Sequence, residues 1–200
     1  MNHLDAVQRL RNRYFVMRHG QSKANVAGII VSRIETDASG DYGLSEAGRE
    51  QVRVAAQSCQ LPARTLVCSS DFARAVQTAR IVAEYLEAPP VTVTSALRER
   101  SFGAWEGTPV ENYHQVWAAD QASGVAANGV EPADAVLDRA TALVAGLERQ
   151  HDNRDILLVS HGDTLQILQA GFARMDPARH RRLPHLETAE IRRMQLAARA

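Results

Sequence analysis

Apolar and polar positions run along this chain in blocks whose period changes. "YFVM" at 14–17 is an unbroken apolar run with aromatic and β-branched residues, and predicts a strand. "RTLVCSS" at 64–70 and "DILLVS" at 155–160 have the same character. "VTV" at 91–93 is a shorter run, placed after the helix-stopping pair Pro89-Pro90. Runs of this length bounded by Gly fit strands buried on both faces, as in parallel sheets. Elsewhere the period is helical. "LSEAGREQVRVAAQSCQ" starts on Ser45 as an N-cap. "SDFARAVQTARIVAEYLE" places Phe72, Val76, Ala79, Ala83 and Leu86 on one face. "EPADAVLDRATALVAGLERQ" predicts a long amphipathic helix with Pro132 in its first turn, and "DTLQILQAGFAR" predicts another. "VAGIIVSRIETDASGDYG" at 26–43 has no clear period, and "ETAEIRRMQL" at 187–196 alternates weakly, as a closing edge strand does. Strands alternating with helices predict an α/β fold with a largely parallel sheet and one antiparallel edge strand.

Composition narrows the classes. The 200 residues, 45% hydrophobic and 23% charged, suit one domain with a sizeable core. Lys+Arg 23 balances Asp+Glu 23, which argues against a general nucleic-acid binder. Lys23 is the one lysine among the cations, so the rest are guanidinium forks suited to phosphate or carboxylate. Cys59 and Cys68 form no C-x-x-C pair or disulfide framework, so a reducing cytoplasm is expected. "MNHLDAVQRLRNR" has no apolar signal core, and no segment approaches a membrane span.

Two predicted strands end in the same pair, His19-Gly20 and His161-Gly162. Ligands of parallel sheets sit beyond the carboxyl ends of the strands, and glycine lets a ligand approach the backbone. A phosphoryl group calls for convergent Arg, His and N–H donors, an in-line nucleophile and a proton donor. Arg18, His19 and His161 offer these at strand ends, and Arg74 adds a fork at a helix N-terminus, which itself favours anions. Each has a plainer reading. Either His-Gly pair alone is a simple strand-to-loop turn, and Arg74 has Asp71 three residues before it as a salt-bridge partner.

Together, five ordered segments resemble the histidine phosphatase superfamily, the branch that contains cofactor-dependent phosphoglycerate mutases. "RHGQSKAN" at 18–25 is similar to the signature R-H-G-E/Q-x-x-x-N, and "LSEAGREQ" at 44–51 to L-T-x-x-G-x-x-Q. "SSDFARAVQTA" at 69–79 resembles S-x-x-x-R-A/T-x-x-T-A, "LRERSFGAWEG" at 97–107 the acid-bearing stretch, and "VSHG" at 159–162 the closing motif. The resemblance implies one domain over 1–200: a three-layer α/β/α sandwich, residues 1–12 as an N-terminal extension, and about 100–131 in a cap over the site.

It also implies roles. His19 becomes the nucleophile that forms a phosphohistidine through Nε2, and Glu99 the proton donor and acceptor. Arg18, Arg74 and His161 become the phosphate clamp, with Asn25 and the Gly162 backbone nearby. The implied activity is metal-independent hydrolysis of a small phosphorylated metabolite, with no cofactor. A mutase shares these residues. A non-catalytic phospho-ligand binder is expected to lack His19 or Glu99. Too few ligands accompany His161 and Asp163 for a binuclear metal site, and no G-x-S-x-G elbow is present. Glu99 has a second reading, as a surface carboxylate bracketed by Arg98 and Arg100, which would lower its pKa. His114 with Tyr113 and Trp117 is either a helix face packed on the body or a wall of the cleft. Arg179, Arg181 and Arg182 read as a solvated face, or as an extension of the cleft. "DYGLS" without the usual proline, and "GVEP" at 129–132, depart from the pattern near the expected mouth.

Overall fold

The apolar runs form one sheet in a computed structural model that describes residues 1–123 and 128–199. Its strands are β1 (Arg13–Arg18), β2 (Leu66–Ser69), β3 (Thr92–Val93), β4 (Asp155–Ser160) and β5 (Ile191–Arg193), in the order β3-β2-β4-β1-β5. All pairs are parallel except β5, which runs antiparallel to β1 at the edge. The central strand β4 carries Ile156, Leu157, Leu158 and Val159 at 0% exposure, as a strand covered on both faces must.

Alternate side chains of the strands feed two cores. Tyr14, Val16, Ile156 and Leu158 pack on α6 (Ala133–Gln150) and α7 (Gly162–Phe172) through Ala140, Val144, Leu165, Leu168 and Phe172. Met17, Val67, Leu157 and Val159 pack on α3 (Glu46–Ser58) and α4 (Ala73–Tyr85) through Val52, Ala56, Ala75, Ala79 and Val82. The result is the three-layer sandwich. Ser45 caps α3 by accepting from Gly48 N, as expected. Leu4 of the N-terminal stretch lies within the first core, and Arg174 ties its carbonyl down at 3.0 Å.

Two local expectations shift. Pro132 stands before α6 as its N-cap rather than inside its first turn. The buried face of α4 is Arg74, Ala75, Thr78, Ala79 and Val82, while Val76 and Ala83 are only partly covered. Apolar spacing found Phe72, Ala79 and Leu86 but missed Arg74 and Thr78, because these buried members are polar. Thr78 Oγ1 accepts from Gly20 N at 3.1 Å, and Arg74 turns toward His19.

The irregular stretch begins at the end of α1 (Lys23–Ala27) and contains α2 (Ile34–Asp37), and its Ile30 packs with Phe102, Val116 and Val130. Val116 belongs to α5 (Tyr113–Ser123), which is also held by a buried ion network. Arg100, 0% exposed, donates to Asp120 at 2.6 and 2.8 Å and to Asp163 at 3.3 Å. Asp120→Ala, which leaves Arg100 half-compensated, is expected to cost about 3–5 kcal/mol, read as a lowered urea midpoint. An unchanged midpoint would show that Asp163 alone satisfies Arg100. Among the described residues no helix is long and apolar enough to cross a membrane.

Candidate active site

Parallel pairing of β1 with β4 sets Arg18 opposite Ser160. The next residue of each strand is therefore a histidine, and His19 N donates to Ser160 O at 3.0 Å. The two rings meet edge-on with centroids 5.2 Å apart. Close backbone approach requires the glycines around them. A Cβ on Gly20 would lie 2.5 Å from Gly48 O, and one on Gly48 would lie 1.9 Å from Gln21 O. The start of α3 is thus locked onto the loop that carries His19.

His19 has a defined tautomer. Its Nδ1 lies 2.7 Å from Gly20 O and must carry the hydrogen, so Nε2 keeps its lone pair and accepts from Arg74 Nε at 3.2 Å. Burial, with Arg74 and Arg18 adding to it, holds the ring well below the usual 6.5. The ring is therefore neutral at pH 7. His161 is held low by burial and by Arg74, and its Nε2 pairs with Ser70 Oγ at 2.9 Å.

Four buried polar atoms among the described residues have no hydrogen-bond partner: Arg18 Nε, Arg74 Nη1, His161 Nδ1 and Asp37 Oδ1, although Arg74 Nη1 and Asp37 Oδ1 face each other as an ion pair at 4.0 Å. Three are nitrogens, one each on Arg18, Arg74 and His161, the residues gathered around His19. Unsatisfied buried donors are costly, and gathered at one place they fit a multivalent oxyanion. Asp37 positions Arg74 from behind, accepting from Ala73 N at 2.6 Å, while Val31 O takes Arg74 Nη2 at 2.8 Å. Gly162 opens α7 beside Arg18, since a Cβ there would sit 3.5 Å from Arg18 Nε.

Glu99 is buried, and burial followed by the charge of Asp163 raises its pKa, against the pull of Arg74. Oε1 accepts from Arg100 N at 3.0 Å and from Thr164 N and Oγ1 at 3.2 and 3.1 Å. Oε2 takes part in none of these bonds. The bracketing arginines do not neutralise Glu99. Arg98 chelates Asp71 at 2.6–3.0 Å and Arg100 pairs with Asp120 and Asp163. The same pairing takes Asp71 away from Arg74. Asp163 itself is held down to about 2 by His180 and Arg100, against its burial.

Asn25 is placed differently from the clamp. It is exposed on α1, and its Oδ1 accepts from Ser22 N and Oγ in a capping box. A cavity of about 480 Å³ opens against Glu99, lined also by Ser32, Arg33, Glu35, Ser101 and Arg139.

The profile of the histidine phosphatase superfamily, branch 1, matches residues 14–199. The chain belongs to that superfamily. A glucosyl-3-phosphoglycerate phosphatase of Mycolicibacterium vanbaalenii is 31% identical over 174 residues, 80% of this chain and 73% of the relative. An adenosylcobalamin/alpha-ribazole phosphatase of Salmonella typhimurium is 29% identical, covering 83% of this chain and 82% of its own. The solved native structure of a mycobacterial glucosyl-3-phosphoglycerate phosphatase superposes with a TM-score of 0.76 at 28% identity, over 92% of this chain and 90% of that one.

Several residues of this histidine phosphatase whose sequence reading left two alternatives open take up places near the site. Tyr113 is partly buried and feels the charges of Glu99, Arg74, Asp163 and Arg18, and burial raises its pKa. It stacks on Trp117 with an interplanar angle of 10°, and Trp117 Nε1 donates to Asp163 at 2.9 Å. The aromatic cluster is therefore both packed and turned to the site. His180 is buried between Pro177 O and Asp163. His185 Nε2 accepts from Arg18 Nη1 at 2.8 Å. The arginine run divides: Arg179 and Arg182 are exposed, but Arg181 is half-buried. No group of three or more metal-ligating side chains converges among the described residues.

Proposed function

We propose that this chain is a metal-independent phosphatase of small phosphorylated metabolites that works through a phosphohistidine on His19. The single observation that carries the reading is the Nε2 lone pair of His19, fixed by the Nδ1 contact to Gly20 O, beside nitrogens of Arg18, Arg74 and His161 that have no hydrogen-bond partner. In the first step a phosphorus–nitrogen bond forms at Nε2 while the bond to the leaving oxygen breaks. Glu99 gives its proton to that oxygen. The clamp takes the equatorial oxygens, where charge spreads in the transition state. Glu99, now a carboxylate, then takes a proton from water, whose oxygen bonds to phosphorus as the Nε2 bond breaks. Inorganic phosphate leaves.

Glu99 is preferred over the other nearby acids for a physical reason. Glu106 is committed to the backbone of Ser32 and Arg33 and to Ser32 Oγ, and Asp163 is held ionised. Of the stretch at about 100–131, the described residues 100–123 and 128–131 are assigned to the cover over this centre, and 124–127 lie outside the described residues. Gly162 and the start of α7 complete the clamp. Asn25 orders the loop after His19 through its capping box, which gives it a place near the phosphate without a bond to the nucleophile. Two free cysteines, Cys59 and Cys68, support a cytoplasmic enzyme.

Turnover of an aryl phosphate is expected to survive exhaustive chelation and to be blocked by vanadate, which imitates the in-line transition state. Activity lost on chelation and restored by a divalent ion would overturn the mechanism. The names of two relatives support the expectation: a metal-independent phosphoserine phosphatase of Arabidopsis thaliana, 27% identical, and a mycobacterial relative solved with VO3.

A further inference from the structure

An acid that gives a proton in one step and takes one in the next must be held in both of its charge states. Three donors meet Glu99 Oε1: Arg100 N at 3.0 Å, Thr164 N at 3.2 Å and Thr164 Oγ1 at 3.1 Å. Thr164 is the third residue of α7, so its N–H is one of the donors that a first helical turn leaves free. His161, at the N-cap, gives these donors no side-chain acceptor. Glu99, 65 residues earlier in the chain, takes that place.

The hydroxyl differs from the two N–H groups because it can turn. Thr164 is fully buried, and its one hydroxyl hydrogen has two acceptors in reach, Arg98 O at 2.8 Å and Glu99 Oε1 at 3.1 Å. One hydrogen cannot serve both. Oε1 already faces two fixed N–H groups, so a proton on this carboxyl belongs on Oε2. With Glu99 neutral, those N–H groups satisfy Oε1, and the shorter contact to Arg98 O takes the hydroxyl hydrogen. With Glu99 ionised, Oε1 carries negative charge, and a hydrogen bond to it is roughly twice as strong as one to a peptide oxygen.

The charged groups around Glu99 come from several elements. Asp163 of α7 disfavours its carboxylate and Arg74 of α4 favours it, while Tyr113 of α5 feels its charge. Arg139 of α6 donates to Glu99 O at 3.3 Å but is paired with Glu131 at 2.8 and 3.0 Å. Arg98 is paired with Asp71, and Arg100 with Asp120 and Asp163. Arg33 and Glu35 line the cavity that opens against Glu99.

Resting on the phosphatase reading, we propose that Thr164 is a positioning residue for both halves of the acid–base cycle. Its hydroxyl bonds Arg98 O while Glu99 holds the proton, and turns to Glu99 Oε1 once that proton has gone to the leaving oxygen. The carboxylate is then held in place while Oε2 takes the proton of the attacking water, and the hydroxyl turns back.

The test reads the Glu99 carboxyl directly. In protein carrying isotope-labelled glutamate, the Cδ resonance lost in Glu99→Gln identifies Glu99. Its shift is followed against pH in the wild type, Thr164→Val and Thr164→Ser. Valine removes the donor that stabilises the charged form, so the midpoint is expected to rise by about one pH unit. That is a tenfold change in proton affinity, the scale of one hydrogen bond to a charged group. Serine keeps the hydroxyl and should return the midpoint close to the wild type. The alkaline limb of phosphoenzyme formation should move the same way with glycerol 3-phosphate, and much less with p-nitrophenyl phosphate, whose leaving oxide needs the proton less. An unmoved midpoint in Thr164→Val would overturn the switch. So would an equal rise in Thr164→Ser, which would assign the effect to packing. Valine also takes the donor from Arg98 O, so thermal melts check that the variant folds, and Thr164→Ala is a second hydroxyl-free variant expected to show the same rise. The titration needs no turnover, so it stays separate from failure of the phosphatase reading, which would appear as no phosphate release from p-nitrophenyl phosphate by the wild type.

Discussion

Replacing His19 with alanine is expected to lower phosphate release from p-nitrophenyl phosphate by about 10⁴-fold or more, the scale seen when a covalent nucleophile is deleted. The clamp remains, so phosphate binding should survive. The reason lies in the division of labour at the site. Arg18, Arg74 and His161 offer donors, whereas His19 offers the one lone pair whose tautomer is set by a backbone carbonyl. His161 cannot replace it easily, because its Nε2 is engaged with Ser70 Oγ. A reaction quenched at high pH, where phosphohistidine survives, should place label on the peptide containing His19. Label on His161 or on a serine would refute the assignment. The change sits at the carboxyl end of β1 rather than within either core, so circular dichroism should show an intact fold.

The second large effect is expected at Glu99. Glu99→Gln keeps the shape and the acceptor oxygen toward Thr164, but removes the transferable proton. General acid help is worth about 10²–10⁴-fold, and an alkoxide needs it far more than p-nitrophenolate does. The burst of phosphoenzyme formation should therefore fall much further with an alkyl phosphate than with p-nitrophenyl phosphate. A burst is the right readout because, in the proposed mechanism, Glu99 also serves as base when water attacks. The pH dependence follows from the direction of two shifts. His19 is held below 6.5, so its lone pair is available at neutral pH. Glu99 is held above 4.5, so its proton is retained into the acid range and is lost as pH rises through that raised value. The alkaline limb of the alkyl phosphate profile should belong to Glu99 and disappear in Glu99→Gln. Equal losses on both substrates, or an unaltered limb, would make Glu99 a binding group.

The sequence by itself determined the layer order of this protein and the linear parts of its site. The apolar runs and the helical spacings set which segments are strands and which are helices, because each must bury a face of fixed period. The repeated His-Gly ending was legible as a site because parallel neighbours in register bring residues just beyond Arg18 and Ser160 side by side. Where a single short-range neighbour was invoked, the tertiary structure decided otherwise. Asp71 pairs with Arg98 rather than with Arg74, and the two arginines beside Glu99 turn to other acids. Side chains on successive residues of an irregular segment diverge, and a buried charge takes the partner that geometry presents, however distant in the chain. The arginine run at 179–182 reads from sequence as a solvated face or as an extension of the cleft. Packing divides it, setting Arg181 against Trp117 of an element far away in sequence and leaving Arg179 and Arg182 exposed. Periodicity reports which face is buried, but which charges meet there depends on distances that only the closed fold sets.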